Sequence, residues 1–214
     1  IFKPKSEDYI FIVSSSTLTT EYRFIKSDDP NAPFRVFSKR ERGLEYSLDH
    51  YQNHFYLLTN KDGATNFKLM KTSVLATDSD HWEEFIPHRP EILLEDVEFF
   101  EKFYVLSERK RGLTSLQIHH WDDHSFYSVA MEGDTYVCDI HENPESKTTK
   151  LRYYYNSMTR PGSVYEIDME TRETRLLKQQ EVLGGYSPSD YISERVWITA
   201  RDGVSVPVSL VKHK

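Results

Sequence analysis

Apolar and polar residues alternate along this chain in short β-branched and aromatic runs, and the runs return in the same order four times. YIFIVSSS, HFYLLTNKDG, KFYVLSERKRG and KLRYYYNSMTRPG begin near Tyr9, His54, Lys102 and Lys150, a spacing of roughly 45 to 48 residues. Each run breaks into polar turn residues and resumes as EYRFI, NFKLM, SLQI or SVYEID, which predicts a hairpin inside every copy. Strand chemistry at this repeat length, with no helical period, points to four-stranded β-propeller blades. Such units cannot bury both faces alone and must stack on neighbours.

The pattern predicts a first blade from strands at 9–14, 21–25 and 34–37, its missing partner lying upstream or supplied by ring closure. The second uses 44–48, 54–59, 67–71 and 82–86, with Lys61-Asp62-Gly63 as a tight turn. The third uses 92–99, 103–108, 113–119 and 125–129, turning at Arg111-Gly112. The fourth uses 136–140, 150–156, 164–168 and 174–177, with Pro161-Gly162 breaking the chain. From Lys178 to Ser193 the pattern stops in QQEVLGGYSPSDY, which is linker chemistry. RVWITA, RDG and VSVPVSLV then predict a separate hairpin over 194–211, turning at Asp202-Gly203, with Pro207 at an edge or at a position where no backbone donor is needed.

Composition narrows the classes. At 38% hydrophobic, 14% aromatic and 29% charged, the chain has the material for a folded core. No apolar stretch reaches the roughly 18 residues of a membrane helix, so no membrane contact is expected. The net charge of −7 argues against nucleic acid, whose binders carry a basic patch or stripe. Because it begins at Ile1 rather than Met, the chain reads as a piece of a longer or processed protein. Cys138 is the only cysteine, which excludes an internal disulfide and suits a reducing compartment, the cytoplasm. Within TYVCDI it reads as a small buried strand residue rather than a nucleophile.

Several polar clusters invite chemistry and have plainer readings. His119-His120-Trp121-Asp122-Asp123-His124 holds metal-binding residue types, but neighbours on a strand point to opposite faces, so a turn between strands is expected and no metal or cofactor. Ser157, Ser163 and His141 have no spacing that makes a catalytic pair. Tyr153, Tyr154 and Tyr155 fit blade packing before a stacking platform. Arg109 and Arg111, flanking Lys110 and downstream of Glu95, Asp96, Glu98 and Glu101, together with Arg152 and Arg160, are the candidate substrate-cavity or domain-interface residues. Their plainer reading is a solvated turn with ordinary salt bridging.

YNSMTRPGSVYEID, followed by YISERVWITARDGVSVPVSLV, resembles the prolyl oligopeptidase family of serine peptidases, in particular its oligopeptidase B branch, and FYVLSERKRGLTSLQI is similar to a blade of the same branch. The resemblance implies an all-β partial propeller of about four of seven blades, followed by the first hairpin of an α/β-hydrolase domain. Residues 1–178 would be the C-terminal part of the propeller, 179–193 a linker or hinge, and 194–214 the start of the catalytic domain. It further implies a cytosolic parent enzyme that cuts short basic peptides after Arg or Lys with a Ser-Asp-His triad. No G-x-S-x-G stands in this sequence, so no catalytic residue is assigned and the chain alone is expected to be inactive. A free-standing interaction propeller and a post-proline peptidase are the alternative readings. Open blade edges would favour self-association.

Overall fold

The computed structural model describes residues 1–214, folded as seventeen strands in five antiparallel sheets with three short 3-10 turns. The chain divides into two compact units, residues 1–94 with 144–146, and residues 95–143 with 147–214.

The first unit holds two sheets. β1 (Tyr9–Ser16), β2 (Thr19–Lys26) and β3 (Arg35–Val36) form a three-stranded meander. In place of a fourth strand, Phe2 makes one antiparallel bridge to Phe11. β4 (Tyr46–Tyr51), β5 (His54–Thr59), β6 (Lys68–Ser73) and β7 (Glu83–Ile86) make a four-stranded sheet in sequence order. The two sheets share one core of Tyr9, Phe11, Phe24, Phe37, Phe55, Leu57 and Trp82 with their neighbours. Five of the six β5 residues are buried, as expected of an inner strand covered on both faces. His50 is buried as well, its Nδ1 2.8 Å from Ser6 Oγ. The Lys61-Asp62-Gly63 segment is not the tight turn expected. It is a 3-10 turn inside the longer connection 60–67, with Asp62 and Gly63 at positive φ. The reason is local: Asn60 and Thr59 are tied back to the Glu45 segment by side-chain hydrogen bonds, so the chain leaves β5 before it can reverse.

The second unit, which takes up its first strand from Glu95 onward, also holds two successive four-stranded sheets. β8 (Ile92–Phe99), β9 (Phe103–Lys110), β10 (Leu113–His120) and β11 (Phe126–Ser128) form one sheet. β12 (Tyr136–Ile140), β13 (Lys150–Ser157), β14 (Arg160–Asp168) and β15 (Thr174–Gln179) form the next. Their facing sides bury Phe103, Val105, Leu116, Ile118, Cys138, Leu151, Tyr153 and Ile167 in one cluster. Across it the Cys138 N–H donates to Thr114 Oγ1 at 2.7 Å, which satisfies a polar group that a dry core would otherwise strand. β16 (Tyr191–Thr199) and β17 (Ser205–His213) make the final hairpin, beginning three residues before the expected 194.

The Pro161-Gly162 break is also corrected, because both residues lie inside β14 and the chain reverses at Met158-Thr159, between the paired Ser157 and Arg160. Between Tyr155↔Ser163 and Ser157↔Arg160 the register shifts, so that Pro161 and Gly162 together stand opposite Asn156 as a bulge, an irregular position at which a proline without an N–H is tolerated. Gly162 is required by packing, since a Cβ there would overlap the ring and hydroxyl of Tyr154.

Candidate functional site

Antiparallel order fixes which turns share an end of the sheets. In a blade that begins with its first strand at one end, the turn between the second and third strands and the exit of the fourth return to that same end. In the second unit this gathers three segments: the Arg111-Gly112 turn between β9 and β10, the 131–135 connection entering β12, and the Met158-Thr159 turn between β13 and β14. The β16–β17 hairpin is seated there. Arg195 Nη2 donates to the Arg111 carbonyl, Pro207 lies 3.8 Å from the position of a Cβ on Gly112, and the Tyr186 hydroxyl donates to the Thr159 carbonyl.

The docking depends on two backbone features. Arg111 and Gly112 both have positive φ, +50° and +79°, so the turn exposes the Arg111 carbonyl, and with no side chain on Gly112 the Arg195 guanidinium can approach it closely. On the hairpin, Ala200 N–H donates to the Val204 carbonyl, which by alternation makes Trp197↔Pro207 a non-hydrogen-bonded pair. The donorless Pro207 therefore sits where no donor is used, as expected.

The four candidate arginines part company. Arg111 lies with its guanidinium carbon 4.3 Å from the Trp197 ring centroid, and Arg195 covers the same ring at 5.5 Å. Arg160, at the same end of the sheets, is paired with Glu132. Arg109 is committed within its own sheet, its Nε donating to Glu95 at 2.7 Å. Beside that pair, burial and then the Glu95 charge push the Asp139 carboxyl above its ordinary value, against the opposing pull of Arg109. Arg152 lies toward the opposite end, where it and Arg175 both hold Glu166. Burial works against ionisation of Glu166, but the hydrogen bonds and charges of Arg175 and Arg152 outweigh it and leave the carboxyl below its usual range.

Other marked residues have local partners. His119 stacks between Tyr104 and Phe126 with centroids 4.7 and 4.9 Å away, while His120 meets Phe103 edge-on at 4.4 Å. The two imidazoles thus face opposite sides of β10. Ser163 Oγ donates to the Pro161 carbonyl, Ser157 Oγ accepts from Thr159 N–H, and His141 Nδ1 accepts from Glu142 N–H. Burial pushes the Cys138 thiol up to about 11, with a smaller opposing hydrogen bond from Thr114, and a thiol so protonated is a poor nucleophile. Tyr153 and Tyr155 are buried in the shared core, with Tyr154 on the other face.

Arg195 and Trp197 are the residues that sequence reasoning passed over. The signal was present, because Arg-Val-Trp in a strand puts both on one face. Their partner, the Arg111 turn, is 84 positions away and no local pattern points to it.

Known proteins supply the context for this end of the sheets. Residues 3–180 match the family model described as the prolyl oligopeptidase N-terminal β-propeller domain. Dipeptidyl aminopeptidase BI of Pseudoxanthomonas mexicana is 40% identical over the whole chain, which covers 29% of that protein. Protease 2 of Moraxella lacunata is 27% identical over 99% of the chain and 30% of its own length. The structure of oligopeptidase B from Leishmania major superposes with a TM-score of 0.89 at 25% identity, over 100% of this chain and 31% of that one. The chain thus spans about three-tenths of the relatives it matches. With four successive sheets in the predicted order and a family match that runs from residue 3 to the end of β15, the chain belongs to the prolyl oligopeptidase family, as part of its N-terminal β-propeller.

Proposed function

We propose that this chain is the propeller segment of an oligopeptidase that cleaves short peptides after Arg or Lys, and that its last hairpin opens the catalytic domain. The observation that carries the reading is the two-faced hairpin. Arg195, Trp197 and Pro207 turn toward the blade end, while cross-strand pairs Val196↔Val208 and Ile198↔Val206, with Ile192 and Leu210 beside them, form the opposite face. Ile192, Ile198, Val206 and Leu210 are all exposed. A contiguous apolar sheet face of this kind needs a cover, and the first strands of a hydrolase domain would acquire one from the helices and strands that follow them. Its only ion pair, Lys212 to Glu194 at 2.6 Å, lies toward the open end of the hairpin.

On this reading the blades act by access. A propeller set over a catalytic centre admits only peptides that can enter between the domains, and closure excludes water from the reaction. Residues 180–190, which carry the Gly184-Gly185 pair at positive φ, are the segment that takes up the movement. The names of the relatives differ in the bond they imply, and the propeller of a post-proline peptidase is the alternative reading.

Turnover of an arginine-containing peptide reporter tests the proposal. The 214-residue chain is expected to be inactive, and the chain continued through a hydrolase domain active. Cleavage by the 214 residues alone overturns the assignment of the chemistry to another domain, and an extended protein that cuts after residues other than Arg or Lys overturns the specificity.

A further inference from the structure

From Glu170 to Lys214 no residue is buried. The β16–β17 hairpin therefore lies against the blade end without sharing a core with it, and the buried cluster between the β8–β11 and β12–β15 sheets takes no side chain from it. What holds the hairpin is a short set of polar and aromatic contacts. Arg195 Nη2 donates to the Arg111 carbonyl, the Arg111 and Arg195 guanidiniums share the Trp197 ring, and the Tyr186 hydroxyl donates to the Thr159 carbonyl. No ion pair crosses this seat; the hairpin's own, Lys212 to Glu194, joins its two strands.

The other face of the hairpin is of a different kind. Ile192, Ile198, Val206 and Leu210 lie together there and are exposed, so a domain that covers them gains the burial of four large aliphatic side chains. Solvent-screened contacts between arginine and indole are weaker than that. A hairpin held on one face by apolar burial and on the other by this seat parts at the seat when the two sides are pulled apart. The only covalent link across that break is the segment 180–190.

We propose that Arg111, Trp197 and Arg195 form a latch that sets how often the peptide entry opens, and so how long a peptide the longer protein admits. The inference rests on the reading of this chain as the gating part of a peptidase. A released hairpin lets the following domain swing on residues 180–190, and the wider entry passes longer chains. A seated one confines turnover to short peptides. Trp197 is the centre of the latch, because both guanidiniums meet its ring. The ring is 42% exposed, so each arginine contact shifts the balance between seated and released states by only about twofold to fivefold, and the latch can open in every cycle. The three are positioning residues, acting through the hairpin and not on the reacting bond.

The test uses the longer protein and two arginine reporter peptides, identical around the cleaved bond, one of them several times the length of the other. Trp197→Ala is expected to raise the ratio of long-peptide to short-peptide kcat/KM about fivefold. Arg111→Gln removes one guanidinium and keeps the backbone carbonyl that Arg195 uses, so it should raise the ratio about twofold. Trp197→Phe keeps an aromatic face and should bring the ratio back toward that of the unaltered protein. A second measurement needs no activity: cutting at Leu183 or Tyr186 by added chymotrypsin should speed up by the same factors. An unchanged ratio in Trp197→Ala overturns the proposal, whether turnover of both peptides falls together or chymotrypsin cuts faster, because the cluster would then hold the hairpin without setting peptide length. An unaltered protein that cuts neither reporter sinks the peptidase reading instead. The latch is then judged on chymotrypsin alone, and an unchanged rate in Trp197→Ala overturns it.

Discussion

The β12–β15 sheet and the β16–β17 hairpin are consecutive in sequence and both antiparallel, yet they invert each other's chemistry. In the sheet, apolar side chains such as Leu151, Tyr153 and Ile167 are buried against the preceding sheet. Its charges cancel in register: Arg152 stands directly opposite Glu166, and Glu166 opposite Arg175. In the hairpin the apolar side chains face outward and the guanidinium of Arg195 is turned in, toward another arginine and an indole. Strand propensity does not separate the two elements. The difference lies in what each has for a neighbour, and it marks the sheet as finished and the hairpin as waiting for a cover.

Core truncation should separate them most widely. Leu151 is fully buried, so Leu151→Ala is expected to cost about 3 kcal/mol, within the range for buried leucines. Ile198 is 52% exposed, and Ile198→Ala in the same chain should change stability by less than about 0.5 kcal/mol. Urea unfolding of the two variants measures both. Comparable losses would mean that the outer face of the hairpin is already covered, for instance by a second copy of the chain.

Two glycines probe the same contrast at the level of single atoms. Gly162→Ala places a methyl group into the Tyr154 ring in the middle of the sheet, and overpacking there should cost about 1 to 3 kcal/mol. Gly112→Ala adds a side chain at φ +79° and 3.0 Å from Arg195 Nη2. It should cost about 1 to 2 kcal/mol and loosen the hairpin specifically. Hydrogen exchange tells them apart: Gly162→Ala should speed exchange through β13 and β14, Gly112→Ala through β16 and β17. Faster exchange in the hairpin for neither variant would detach it from the Arg111 turn.

Strands were legible because alternation and turn residues are local. The repeat gave the four sheets, and the run Tyr136–Ile140 was placed to the residue. Pro161-Gly162 misled because dipeptide chemistry predicts a turn, whereas the structure resolves it as a bulge opposite Asn156 beside a hydrogen-bonded Ser163. The site was half legible. Arg111 and Arg160 could be picked out as turn residues, but that Glu132 occupies one while Trp197 occupies the other is a long-range fact.

Acid should act on the sheet before the hairpin. Hydrogen bonds from Lys150, and then from the Thr171 and Glu170 backbone, hold the Asp168 carboxyl well below its ordinary value, and Glu166 is lowered by its two arginines. A depressed carboxylate contributes stability that is complete above the unfolded value near pH 4 and is lost as pH falls toward the folded one. The denaturation midpoint should therefore fall below about pH 4, and Asp168→Asn should flatten that fall while lowering the plateau at neutral pH. An unchanged acid limb in Asp168→Asn would show that the turn after β14 does not govern it.

The smallest expected effect falls on the hairpin's own anchor. Trp197 is 42% exposed, so its contacts with Arg111 and Arg195 are of the solvent-screened kind, each worth about 0.5 to 1 kcal/mol. Trp197→Ala should leave global unfolding almost unmoved and raise proteolytic cutting within residues 180–190, because the hairpin would then be held chiefly by the Arg195 hydrogen bond to the Arg111 carbonyl. Trp197→Phe keeps an aromatic face and should recover part of the protection. If both variants resist cutting as well as the unaltered chain, the arginine–indole cluster is not what seats the hairpin.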